Sequence, residues 1–362
     1  MRAGLRHAGL YIAALAVCLT TTLPACAKPS RVSAKVSPAE PLAEPLYAAA
    51  GIRPQDVLQG ELGSCSIDAV LAAMAAEQPG MIRRAIQLNA DGTYTVHFLN
   101  GDSQVIFPQD IRYALRHGYD RSHVLWVGVL LRAYAQQVEA QALIAALRRA
   151  DLPWFARSQM ESLVRSSPLL LEAYDRAIRA AVNQSGSVNA ARLKWHWAAE
   201  AKADAIPSLV ADAVTRLLNT AGFWQVLSRS VRRHPEAYGA YRAVDDGSEL
   251  TSAMAIFVGN TTYIPLSQTG DLQGLLAQAQ AHHWVVAAGT TRQLPPTESF
   301  RFGSWWVGGH AYSVLHYDAA GQLISVRNPW GQHPEPDGVQ VLPLSDFQTA
   351  FLQVVIGKPH AR

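Results

Sequence analysis

The chain has 362 residues, 49% of them hydrophobic and 16% charged, with a formal net charge of +3. That balance belongs to a globular protein and excludes a disordered or collagen-like chain, while the length allows one large domain or two ordinary ones. The charge makes no case for a nucleic-acid partner: setting aside Arg2 and Arg6 takes Lys+Arg from 31 to 29, against 28 Asp+Glu.

Arg2 and Arg6 precede an apolar run over residues 8–19, and small residues follow. Residues 1–27 therefore read as a bacterial signal peptide, with an apolar core too short to span a membrane. Two cleavage readings stay open. Leu23-Pro24-Ala25-Cys26 resembles a lipobox and would leave a lipidated Cys26, whereas Ala25-Cys26-Ala27 fits an A-x-A site that leaves Lys28 first. Either reading exports the chain from a bacterial cytoplasm as a periplasmic, lipid-anchored or secreted protein, with that lipid as its expected membrane contact. Residues 28–50 hold Pro29, Pro38, Pro41 and Pro45 among alanines and serines and read as a linker.

The cysteines are Cys18, Cys26 and Cys65. The first two belong to the export segment, so the mature chain holds at most one free thiol. Oxidising compartments favour pairing or loss of thiols, and an unpaired one there suggests use; the plainer reading is an inert buried cysteine. The context favours use. Gly60 and Gly63 stand upstream, and residues 65–76 form a helix pattern with Ile67, Val70, Leu71 and Met74 on one stripe. Cys65 thus opens a helix, whose N-terminal partial positive charge is expected to lower the thiol pKa. It is a candidate nucleophile.

Asp91-Gly92 and Asn100-Gly101 are turn signals, with an alternating strand over 93–99 between them and a returning strand over 103–107. Residues 124–134 read as a buried helix. Residues 138–236 are rich in Ala, Leu, Arg and Glu, with breaks near Pro153, Pro168, 183–187 and Pro207, and predict four or five helices. Within them Trp195-His196-Trp197 reads as core rather than as a ligand box. Beyond Tyr241 come a helix over 271–281, a buried strand over 283–290 and a loop over 291–304.

Residues 310–317 predict a strand, 318–321 a turn and 322–328 a second strand. His310 starts the first and Asn328 ends the second, so in an antiparallel pair they are neighbours. An amide beside an imidazole orients the ring, which then takes the thiol proton. His282, His283, His316 and His333 have no comparable context, and no His/Cys spacing fits a zinc site.

Three stretches in order, Gln59-Gly60-Glu61-Leu62-Gly63-Ser64-Cys65, Gly309-His310-Ala311-Tyr312-Ser313-Val314 and Arg327-Asn328-Pro329-Trp330-Gly331, resemble the pattern of calpain-type cysteine proteases. The likeness covers roughly 50–137 and 240–355. It implies an α+β, papain-like, two-lobed core: an N-terminal helical lobe over 51–137 carrying the nucleophile, an antiparallel sheet lobe over 237–362 carrying His and Asn, and 138–236 as a large all-α insertion. It implies Cys65 as nucleophile, His310 as general base and then acid, Asn328 as orienter, and Gln59 as an oxyanion donor beside the Cys65 backbone N–H. Gly63, Ser64, Gly309 and Trp330 are its implied substrate-binding residues, with Trp330 shielding the His–Asn contact.

Two departures bear on the site. Ser66 stands where the family has Trp, and Asp246-Gly247 where it commonly has Gly-Gly. No EF-hand loop is present and no cofactor is expected; the resemblance leaves calcium binding by the core itself open, although no acidic ligands for it map. The resemblance implies an endopeptidase with protein or peptide substrates, acting through an acyl-enzyme. The alternatives are a catalytically weak or inactive binding or scaffolding protein on the same fold, and an acyl transferase using the same triad.

Overall fold

The computed structural model describes residues 42–149, 154–166, 168–183, 190–204, 206, 208–218, 241–245, 249–268, 270–291, 306–331 and 337–359. The signal peptide with Cys26, the linker up to residue 41, Asp246-Gly247 and His333 lie outside them.

The first long helix, α1, runs Cys65–Glu77, and α2, Pro79–Ala85, follows it. Then come β1 (Ile86–Leu88), β2 (Tyr94–His97) and β3 (Ser103–Ile106), an antiparallel three-stranded sheet in the order β1-β2-β3. The expected hairpin is present, Tyr94 pairing with Ile106 and His97 with Ser103. Next are α3 (Pro108–Arg116) and α4 (Leu125–Arg149). α4 extends the expected helix across the 137/138 boundary because residues 135–149 hold no Gly or Pro to stop it.

Among the described residues four helices follow: α5 (Trp154–Ser166), α6 (Pro168–Asn183), α7 (Ala190–Ala203) and α8 (Ser208–Leu217). Together with Ala140, Leu143 and Ile144 of α4 they enclose an apolar cluster of their own, around Tyr174, Ile178 and Trp197. The aromatic pair in α7 divides. Trp197 is buried with its Nε1–H donated to Ala211 O at 3.0 Å, while Trp195 is 67% exposed. Two positions apart on a helix is about 200° of rotation, so the two rings cannot share one buried face.

The chain then makes α9 (Arg242–Asp245), α10 (Leu250–Phe257), β4 (Asn260–Pro265), α11 (Leu272–Ala281), β5 (Val285–Thr290), β6 (Ala311–Asp318), β7 (Leu323–Arg327), β8 (Val339–Pro343), α12 (Leu344–Ala350) and β9 (Phe351–Lys358). The strands form an antiparallel six-stranded sheet in the order β4-β9-β5-β6-β7-β8. Asp271 caps α11, its Oδ1 accepting the Gly274 N–H at 2.8 Å. β5 begins two residues later than the sequence suggests because His283 takes a positive φ of 51°, which a strand does not accommodate.

Mixed helix and antiparallel sheet make the described fold α+β. α1 packs on β5 and β6, and strand alternation divides the sheet between two cores. Val285, Ala287 and Ala311 face the cluster that holds α1 and the first half of α4, while Val286, Ala288 and Tyr312 face a second cluster with Phe347 and Phe351. A polar bond also crosses the first interface: the fully buried Ser313 on β6 donates to Ala69 O of α1 at 2.8 Å.

Ser313→Ala leaves that carbonyl with one partner fewer in a dry interface. It is expected to lower stability by about 1–2 kcal/mol, read as a lower urea midpoint; an unchanged midpoint would show that the bond does not join helix to sheet.

Candidate active site

Three chain segments build the site. The first is 57–65, leading into α1. Gly60 lies so close to the opposing chain that a Cβ would overlap the Gly118 carbonyl and the Tyr119 backbone, which requires glycine there. Gln59 is thereby fixed: its backbone N–H donates to Pro329 O at 2.9 Å and its Nε2 donates to Leu62 O at 2.7 Å. One amide hydrogen of Gln59 remains for a ligand. Gly63 N–H is held by Asp245 Oδ1 at 3.2 Å. Ser64 is 0% exposed, and its hydroxyl donates inward to Asp68 Oδ2 at 2.6 Å, turned away from any substrate.

The second segment is the entry to β6. His310 is pinned through its backbone to the end of β5: its N–H donates to Thr290 Oγ1 at 2.9 Å, and Thr290 N–H donates back to His310 O at 2.9 Å. Gly309, exposed, turns into it with a φ of 66°. The third segment is the exit from β7. Ser313 pairs with Arg327 in the β6–β7 register, and the strand ends beyond that pair bring His310 Nε2 to 3.0 Å from Asn328 Oδ1. The same Oδ1 accepts the Trp330 N–H at 3.0 Å. An amide oxygen only accepts, so His310 carries its proton on Nε2 and its lone pair on Nδ1. The Trp330 ring, 44% exposed, lies 4.9 Å from the imidazole at 50° and covers it from one side.

Cys65, the free cysteine of the described residues, opens α1 with its sulfur against the backbone N–H of Ala311, the neighbour of His310. Cys65, His310, Asn328 and Gln59 thus converge, with Trp330 at the rim and Gly309 in the turn before the histidine. The thiol differs from expectation in its electrostatics. Burial pushes the Cys65 thiol up, and the nearby Asp68 carboxylate adds to this, outweighing donors that include Ala311 N–H and Ser66. Burial also depresses His310 to about 4 against the opposing pull of Asn328. A dry pocket disfavours both charges. Ser66, where the family pattern has Trp, is buried, and its side chain and backbone act to lower the thiol pKa.

Residues without a sequence-assigned role surround this set. Asp68 is 2% exposed, one turn beyond Cys65, and burial raises it to about 7 despite the Ser64 bond. Asp120 is likewise buried and raised to about 6, its Oδ1 accepting Ser122 N–H at 2.8 Å. Arg327, quoted in the Arg-Asn-Pro-Trp-Gly stretch for its neighbours, is itself fully buried. A carboxylate within the apolar run of α1 was the legible sign of Asp68. Among the described residues no group of three or more His, Cys, Asp or Glu is placed to hold a metal ion, and no helix is long and apolar enough to cross a membrane.

The family model for calpain family cysteine protease matches residues 202–339. The match takes in His310, Asn328 and Trp330, stops short of Cys65 on the N-terminal side, and begins inside the 138–236 segment. No curated protein matches the chain.

Asp68 sets a pH dependence. Its folded pKa of about 7 lies above the ordinary 3.8, so the stability tied to its protonated form is present below about pH 4 and is lost as pH rises through 7. Asp68→Asn removes that term: from pH 4 to above 7, wild type should lose up to about 4 kcal/mol relative to the variant. Urea unfolding across that range checks it, and parallel pH curves for the two proteins would refute the buried-acid assignment.

Proposed function

We propose that the chain is an exported cysteine endopeptidase that hydrolyses peptide bonds in protein or peptide substrates through Cys65, His310 and Asn328. The observation that carries this reading is the 3.0 Å contact between His310 Nε2 and Asn328 Oδ1 beside the sulfur of Cys65 on the Ala311 N–H. The calpain-family match over 202–339 supports a cysteine peptidase. The reading takes the fold as papain-like, with Cys65 on a helical lobe, His310 and Asn328 on the sheet lobe, and 138–236 as a helical insertion.

In the proposed mechanism the Cys65 thiol gives its proton to His310 Nδ1, and the thiolate attacks the substrate carbonyl carbon. The C–S bond forms while the carbonyl oxygen becomes an oxyanion, met by the Cys65 backbone N–H and the remaining N–H of Gln59 Nε2. Collapse breaks the C–N bond, and Nδ1 returns the proton to the leaving amine. Water then attacks the thioester, passing its proton to Nδ1; the acid departs and the thiol is restored. Asn328 keeps the second ring nitrogen occupied throughout, so the lone pair stays on Nδ1. The chemistry uses side chains of the chain and no cofactor or calcium. The basic start and apolar run of 1–27 support export, with Cys26 lipidated in the anchored form.

Cys65→Ala is expected to abolish cleavage of an unfolded protein substrate and iodoacetamide labelling of the chain, and His310→Ala to cut kcat by roughly a thousandfold or more, with wild-type turnover unaffected by a calcium chelator. Undiminished cleavage by Cys65→Ala would sink the mechanism. Mass spectrometry of the mature N-terminus decides between lipidated Cys26 and Lys28.

A further inference from the structure

Arg327 closes β7 immediately before Asn328. Its side chain is 0% exposed, and a guanidinium is costly to bury. Nη2 donates to Val57 O at 2.8 Å, two residues before Gln59. A second tie runs alongside, from Gln59 N–H to Pro329 O at 2.9 Å. The same segment is also held by Ser122, whose Oγ accepts Leu58 N–H at 3.2 Å, and by Arg121 N–H donating to Leu58 O at 3.0 Å. Segment 57–59 is therefore clamped, and the arm that reaches it from the sheet starts one residue from the orienting amide.

The charge faces Asp337, Asp68 and Asp56, yet Nε and Nη1 have no hydrogen-bond partner among the described residues. Replacing a buried ion by an apolar side chain of similar volume is often neutral or stabilising. Packing alone thus gives no reason for arginine here, whereas a donor long enough to reach from β7 to the Val57 carbonyl does. The contact leaves little slack: a Cβ on Gly331, itself at a φ of 66°, would come 3.2 Å from Nη2 and overlap Leu58.

We propose that Arg327 is a positioning residue, whose bond to the Val57 carbonyl sets where the Gln59 amide stands relative to His310 and Asn328. This rests on the peptidase reading above. Arg327 does not touch substrate; it keeps the oxyanion donor and the base in one frame, so that a carbonyl attacked by Cys65 meets both. Its loss should weaken the step that builds the oxyanion and spare steps that do not. Alkylation of the thiol by iodoacetamide builds no oxyanion, which separates a displaced donor from a damaged nucleophile or a loosened fold.

The test compares wild type with Arg327→Lys, which keeps the charge and loses the fork, and with Gly331→Ala, which keeps Arg327 and crowds its contact. Both are assayed for peptide hydrolysis and for alkylation rate at Cys65. The expected result for each folded variant is kcat lower by roughly ten- to a hundredfold, with KM and alkylation rate within about threefold of wild type. Wild-type kcat in either folded variant overturns the positioning role alone, as does a parallel fall of hydrolysis and alkylation. Should Arg327→Lys not fold, Gly331→Ala decides by the same criteria. A wild-type protein that neither hydrolyses peptides nor labels at Cys65 overturns the peptidase reading and this proposal together.

Discussion

One oxygen atom governs the site. Asn328 Oδ1 accepts N–H groups from His310 and from Trp330, and because it cannot donate, it decides which ring nitrogen of His310 keeps a proton. That choice depends on strand geometry. β6 and β7 are antiparallel, and the pairing of Ser313 with Arg327 sets how far their ends overshoot. A one-residue slip would turn every side chain on β7 to the opposite face and carry Asn328 away from the imidazole. The register is held by burial on both faces of the sheet, while the clasp of His310 on Thr290 fixes the start of β6 against β5. The precision of one hydrogen bond is thus borrowed from the packing of a whole sheet.

The second theme is the cost of charge in a dry interior. Thiol, imidazole and two carboxyls are each pushed by burial toward their neutral forms, and the guanidinium of Arg327 is lowered to about 10 by the same cause, against the pull of its acidic neighbours. Helix-dipole reasoning by itself predicts a more acidic thiol. A helix end contributes about 1 kcal/mol or less at an exposed site, whereas desolvation of a buried group shifts its pKa by several units. For Cys65 the larger effect wins.

The elements whose signals are local were legible in the sequence. α1, the β2–β3 hairpin and α11 follow from apolar spacing, Asp-Gly and Asn-Gly turns and the Asp271 cap. The meeting of His310 with Asn328 was legible because both lie within one strand–turn–strand unit, where antiparallel geometry leaves little choice. What was not legible depends on long-range burial. Ser64 looks like a site-facing hydroxyl in the motif and is turned inward by Asp68. Trp195 and Trp197 look alike in sequence and are separated by helical rotation. Arg327 is masked by the Asn that follows it, since its partner at Val57 lies 270 positions away. The continuation of α4 past residue 137 was missed because a change of composition was taken as a boundary while the backbone had no reason to break.

That helix has a consequence for cooperativity. Its first half, through Ala135, belongs to the core that supports α1, and Ala140, Leu143 and Ile144 belong to the core enclosed by α5–α8. A 25-residue α-helix is a rod of about 37 Å, and its middle turns have no irregular hinge at which to part the two cores. Melting the α5–α8 cluster strips one end of the rod of its apolar cover, and the cost is felt along the same hydrogen-bonded ladder that backs the nucleophile's helix. The two clusters are distinct in packing, but they share one continuous element, so their unfolding equilibria are thermodynamically linked rather than independent.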